Sequence, residues 1–431
     1  LLRAVICQPP KSVTPWAWVP TLYLAQGLPY VLVMAVSVIL YKDLEVSNAD
    51  IAFYTSWLYL PWVIKPLWSP AVDLLRTRRL WIWTLQCVLG AAFGAVALTL
   101  PGEYFFRWSL AVFWLAAFSS ATHDVAADGF YLLALAERQQ SFFVGIRSTF
   151  YRVANIAGQG ALVMLAGWVQ EQTGSPRLGW MLALGALGVL LVLAGIYHAF
   201  VLPRPAADVA RSAAGVGVFL RDCLGTFGSF FRRPRIVPIL LFLLLYRLGE
   251  AQLVKLAAPF LMDARNAGGL GLSTTQVGFA YGTVGVMALT LGGILGGVLV
   301  SRHGLGRWLW PMACLMNFPN LVYVLLARFQ PESMVLVVGG IAIEQFGYGF
   351  GFTAYLLYMI QIARGPHQTA HYAICTGFMA LGMMLPGMVS GWVQDRLGYE
   401  WFFVEVVIAT LPGFLLLVAV PIEREFGRRG G

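Results

Sequence analysis

The chain has 431 residues, of which 59% are hydrophobic and 11% charged, and its mean hydropathy is +0.73. That balance excludes a soluble domain and points to an all-α, polytopic membrane protein, in which the 46 glycines serve close helix packing and the 15 tryptophans interfacial anchoring. The net charge of +9 implies no nucleic-acid partner, because the basic residues sort by side of the membrane, and the five cysteines lack metal-ligand spacing and imply no metal site.

Hydropathy predicts six spans, at Trp16 to Leu40, Ala49 to Val72, Leu80 to Leu100, Trp108 to Ala136, Phe142 to Val169 and Gly179 to Val201. Six more follow, at Ile236 to Met262, Thr274 to Val300, Trp308 to Ala327, Met334 to Ile362, Thr369 to Val393 and Trp401 to Val420. With the N-terminus inside, the inner segments hold 18 Lys and Arg and the outer loops 6, which places both termini in the cytoplasm. The chain divides into a first six-helix bundle over 1–201, a cytoplasmic linker over 202–235 and a second bundle over 236–431. In the linker Phe219, Leu220, Cys223, Leu224, Phe227, Phe230 and Phe231 recur at three- and four-residue spacing, which predicts an amphipathic helix on the inner leaflet.

The two halves repeat a loop pattern. Asp73 and Arg76 follow the second span, and Arg302 and Arg307 follow the eighth. A carboxylate or small residue at a helix end followed by arginines clamps neighbouring helix ends by charge–dipole contact, which predicts a gating role for these four residues. The pattern, joined to the six-plus-six count, resembles the major facilitator superfamily.

Charges inside the spans need polar surroundings, since an Asp at a helix centre costs about 2.5–3.5 kcal/mol on insertion. Asp124 and Asp128 are four apart in the fourth span, so both project from one face, where two like charges require a proton or a cation. They are the first candidates for proton coupling, against a static role tying the fourth span to its neighbours, with Arg147 and Arg152 of the fifth span as expected partners. In the seventh span Arg247 and Glu250, three apart, are expected to neutralise each other, and Lys255 lies beyond them. Glu344 stands alone in a glycine-rich tenth span and needs a proton or a match from another helix. Glu250 and Glu344 are the remaining proton-coupling candidates.

Lys65, Arg152 and Arg247 offer cations to a carboxylate, and Tyr151, Tyr348 and Tyr355, with Trp57, Tyr59 and Tyr358, offer surfaces for sugar rings. His123 and His371 are either proton relays or packing residues, with packing favoured for His371 near a helix start. Gly27-Leu28-Pro29-Tyr30 and Pro386-Gly387 are expected to kink their helices. Without a phosphate-cradling loop, a metal spacing or a nucleophile–base group, the reading is a transporter rather than an enzyme.

A closer resemblance rests on Gly27-Leu28-Pro29, on Lys65-Pro66-Leu67-Trp68-Ser69-Pro70 followed by Asp73, on Asp124 with Asp128, and on Tyr151-Arg152. It continues through Tyr246-Arg247-Leu248-Gly249-Glu250, Glu344 and Gly391-Trp392. In these the chain resembles AmpG, the muropeptide permeases of the major facilitator superfamily, although His123 stands where that family often has Gln and Glu250 where an Asp is familiar. The resemblance implies proton-driven import of anhydro-muropeptides across the bacterial inner membrane by alternating access. It implies no cofactor besides the proton gradient, a small-molecule substrate and the lipid bilayer as partners, and a monomer. The alternative is a related facilitator carrying a siderophore or an acyl-CoA-like amphiphilic anion.

Overall fold

Backbone groups in a hydrocarbon layer must find partners within their own segment, and among the described residues all regular structure is helical. The computed structural model describes residues 14–206, 208–209, 225, 227–365 and 368–428. Nine helical runs among them are long and apolar enough to cross a membrane. One of these, 370–419, is two arms that meet at Gly398, whose φ of 73° turns the chain. Two interrupted arms complete the twelve.

The arms of the first half are α1 (Pro15–Asp43), α2 (48–75), α3 (Arg78–Thr99), α4 (Phe105–Ala134), α5 (137–173) and α6 (Pro176–Val201). Those of the second are α7 (Ile236–Met262), α8 (Thr274–His303), α9 (Leu305–Phe329), α10 (Met334–Ala363), α11 (368–397) and α12 (399–419). Several arms are broken where sequence or packing demands it. Helix α2 is interrupted just ahead of Pro61, and α7 at Tyr246 and Arg247. Wider π-helical turns lie at Leu32–Val36 in α1, shortly after Pro29, at Ala157–Leu162 in α5 and at Gly278–Gly285 in α8. The kink expected around Gly27 to Tyr30 thus takes the form of a π turn just beyond it.

Small residues set the packing distance. Helices α3 and α6 cross at Gly90 and Gly188, where a Cβ on either would lie 2.5 or 2.7 Å from the other's carbonyl oxygen. The turns after α1, α3, α5, α7, α9 and α11 gather at one end of the bundle, here called the distal end, and the 202–235 linker leaves from the opposite, linker end.

At the linker end Arg79 donates from Nε to the carbonyl of Leu202 at 3.1 Å and from its guanidinium to that of Ala199, while Asp208 caps α3 by accepting from the amides of Arg78 and Arg79 at 2.8 and 3.0 Å. The clamp expected of Arg76 is therefore made by its neighbours, and Arg76 itself is exposed. The Asp73 side chain lies outside the described residues. Arg302 and Arg307 are likewise exposed. Their turn is held instead by the C-terminal segment, through Leu305 N–H to the Phe426 carbonyl at 2.9 Å and Gly306 N–H to that of Arg424 at 3.2 Å.

Most of the expected amphipathic helix lies outside the described residues. Its last turn, 227–231, is helical, but Phe230 is buried in the core of the second half rather than laid on lipid. Ser229 bonds His371 Nε2 at 2.9 Å and Arg233 bonds its Nδ1 at 2.7 Å, so His371 is a packing residue at the start of α11.

Candidate functional site

Helix α4 brings its two carboxylates to the inner surface of the first half, where each meets a different cation. Asp124 accepts from the Lys65 ammonium of α2 at 2.9 Å and from the Gln26 amide of α1. Asp128, one turn nearer the linker end, accepts from the Tyr23 hydroxyl at 3.1 Å and pairs with Arg147 of α5 at 3.2 Å. The Arg147 guanidinium also lies over the rings of Tyr23 and Tyr131, 4.6 and 5.2 Å from their centroids. The two pairs differ in wetness: the side chains are 26% and 23% exposed for Lys65 and Asp124, but 30% and 44% for Arg147 and Asp128.

The expected pairing with Arg152 does not form. Positions 147 and 152 are separated by about 140° around a helix, so only one of them faces α4. Arg152 turns to the second half and donates to the Thr290 carbonyl of α8 at 3.1 Å.

Aromatic residues line the space between the halves. From the first half Tyr30 packs edge-on against Trp62 at 5.3 Å and lies 6.3 Å from Tyr151. From the second half Arg247 donates to the Tyr348 hydroxyl and stacks over Phe352 at 4.7 Å. Arg247 and Glu250 do not pair as their spacing suggested, because the helix breaks at Arg247, where φ is −109° and ψ 23°, and the three-residue register is lost. Glu250 is fully buried with neither carboxyl oxygen partnered among the described residues, and the charged groups acting on it are Glu344 and Arg247. Glu344, also fully buried, accepts from Gln345 at 3.0 Å and Tyr323 at 3.5 Å through one oxygen, leaving the other unpartnered. Tyr355 and Tyr358 do not face this space. Both are fully buried in the second half, Tyr355 stacked on Tyr246 at 5.1 Å with its hydroxyl given to the Leu243 carbonyl at 2.5 Å.

Toward the distal end the halves are locked together. Lys42 of α1 pairs with Asp263 at the end of α7 at 2.5 Å, and Asp263 also accepts from Tyr399 at 2.5 Å and from Asn48 at 3.2 Å. Asn48 completes the ring by donating to Gln394 at 2.8 Å and accepting from Lys42 at 2.9 Å. Beside it Asp43 accepts from Thr274 of α8 and Trp180 of α6, each at 2.7 Å. Glycines bring the backbones into contact there, Gly391 on Asn48, Gly167 on Thr275 and Gly282 on Gln159. Above this lock lies a cleft of about 570 Å³, lined by Lys42, Asp43, Asp263 and Thr274 among others.

Sequence reasoning did not find the lock, nor Gln26 and Tyr23 as carboxylate partners. Polar residues at helix ends look interfacial, and nothing local pairs the end of α1 with the end of α7. His123 belongs to a buried chain in which the Gln86 amide donates to its Nε2 at 3.0 Å, Gln86 accepts from His198 at 2.8 Å, and His198 bonds Thr21 at 3.0 Å. With both imidazoles bonded through one amide, that chain joins α1, α3, α4 and α6.

The chain is similar to known transporters over nearly its whole length. The model of the BT1 family matches residues 26–248, more than half of the chain. The anhydromuropeptide permease of Escherichia coli K12 is 27% identical over 415 residues, covering 94% of this chain and 79% of that protein. Among solved structures, a bacterial homologue of the human lysosomal transporter Spinster, inward-facing and unoccupied, superposes with a TM-score of 0.68 at 15% identity, covering 97% and 98% of the two chains. The nucleoside transporter NupG gives 0.64 at 15% identity, covering 94% and 99%. These likenesses establish the major facilitator fold.

Proposed function

The chain belongs to the BT1 family, and on that membership we propose that this membrane transporter imports anhydro-muropeptides together with protons across a bacterial inner membrane. The likeness to the anhydromuropeptide permease over 94% of the chain carries the reading. The geometry supplies a physical route to it. Tyr30, Tyr59, Tyr151 and Tyr348 suit sugar faces, and Arg152 and Arg247, neither with a carboxylate within ion-pair distance among the described residues, suit the acidic groups of a peptide.

Coupling follows from the two ion pairs. A proton on Asp124 or Asp128 cancels the charge that holds Lys65 or Arg147, and the released cation is then available to an anionic cargo. Proton and cargo therefore favour the same state and travel in the same direction. With the termini cytoplasmic, as the distribution of Lys and Arg indicates, the distal end is periplasmic and the locked arrangement is inward-facing.

Proteoliposomes, sided by protease access to the 202–235 linker, test this reading. Labelled anhydro-muropeptide is expected to accumulate under an inward proton gradient. Asp124→Asn and Asp128→Asn, which mimic the protonated carboxyl, are expected to abolish accumulation while counterflow exchange persists. No uptake by folded wild-type protein refutes the cargo, and concentrative uptake by both variants refutes the role of the pair.

A further inference from the structure

Lys255 is a cation that the ion-pair scheme leaves unused. It sits at 1% exposure on α7, where the second half meets α2 of the first. Its ammonium donates to Thr55 Oγ1 at 2.9 Å and lies 5.1 Å from the centroid of the Tyr59 ring. Thr55 spends its own proton on the Ile51 carbonyl at 2.6 Å, so its oxygen is the acceptor and Lys255 the donor. Among the described residues no carboxylate lies within ion-pair distance of Lys255.

The surroundings of Lys255 are those of a place prepared for something more. A buried ammonium has three donors, and one hydroxyl and one ring face leave it undersatisfied at a cost that a plain packing residue would not incur. The neighbouring Ser56 hydroxyl is buried with no partner among the described residues. Gly387 of α11 lets three helices pack closely here: a Cβ there would stand 2.8 Å from Ser56 Oγ and 3.3 Å from Lys255 Cγ. The contact to Thr55 crosses the seam between the halves, and Lys255 lies eight residues from Asp263 of the distal lock, about 12 Å along the helix. When the distal lock opens, α2 and α7 separate along this seam and the ammonium loses Thr55.

We propose that Lys255 is the anion-recognition site of the distally open state, taking a carboxylate of the arriving cargo in place of Thr55. Closure then returns Lys255 to Thr55 and passes the anion toward Arg152 and Arg247. Lys255 acts as a specificity-determining residue on the entry side, distinct from the cations released by protonation. The inference deepens the transport reading above and rests on it for the identity of the cargo.

Two measurements test it. In a chain whose native cysteines are replaced by serine, Thr55→Cys is expected to react with a membrane-impermeant thiol reagent at least about tenfold faster when Lys42→Ala loosens the lock. An unchanged rate overturns the inference, because Lys255 is then never uncovered. The second compares binding of a muramyl peptide with free carboxylates against its methyl ester, in the Lys42→Ala background. Lys255→Met is expected to weaken the acid by more than about tenfold and leave the ester unchanged, whereas Lys255→Arg retains the preference for the acid. Equal weakening of both probes, or of neither, overturns the inference. Failure of the lock-opened parent to bind either probe refutes the cargo reading instead, and the labelling rate still decides whether Lys255 is uncovered.

Discussion

A carboxylate in a membrane is defined by the cation it meets, and the four candidate acids divide on that ground. Asp124 and Asp128 each hold a basic partner, while Glu250 and Glu344 hold none within ion-pair distance among the described residues. Removing one member of a pair leaves the other uncompensated, which costs more than the pair contributes. Lys65→Met is therefore expected to destabilise the protein by about 2 kcal/mol, given that the pair is roughly a quarter exposed. Adding Asp124→Asn should restore most of it, and thermal unfolding of the two single variants and the double variant reads the coupling directly. If Lys65→Met is harmless alone, the pair carries no energy. The sequence made the four acids visible because each interrupts an apolar run. It disclosed one partner, Arg147, which pairs with Asp128, but not the other: Arg152 was also expected, yet helical rotation aims it at α8, and Lys65, which pairs with Asp124, comes from an arm 59 positions away.

At the scale of the element, length and hydropathy were enough to read twelve arms, because a bilayer demands a fixed apolar run whatever the packing. The irregular turns were only half legible. Pro29 announced a disturbance in α1, but the π turns of α5 and α8 carry no proline and exist where the two arms cross. There Gly282 lies so close to α5 that a Cβ would overlap the Gln159 carbonyl, and Gly160 opposes Thr283. That crossing belongs to the distally closed state, so Gly282→Ala is expected to wedge α5 from α8 and disfavour closure. Spin labels at exposed Ser47 and Ala264, which flank the lock, should report a longer mean distance in Gly282→Ala than in the parent. An unchanged distance means that the crossing tolerates a methyl group and does not set the state.

For the whole molecule, the question is what keeps one end shut while the other admits cargo. The distal end is closed by contacts of two kinds: glycine-mediated backbone contact, which is short-ranged and gained only on full closure, and the Lys42, Asn48, Asp263, Gln394 and Tyr399 ring. Lys42 and Asp263 are 13% and 21% exposed on their side chains, dry enough for the pair to matter and wet enough for it to part. A transporter needs this balance, since a lock stronger than the binding energy of the cargo would trap a single state. Asp263→Asn removes the charge while keeping an acceptor for Tyr399, and is expected to shift the equilibrium toward the distally open state by about five- to tenfold. The Ser47 and Ala264 labels should then show a second, longer distance whose share falls again in Lys42→Ala/Asp263→Asn relative to Asp263→Asn alone, because the double variant no longer buries an unpaired ammonium. If the single and double variants open alike, the ion pair contributes nothing beyond its hydrogen bonds, and the glycine contacts alone hold the distal end.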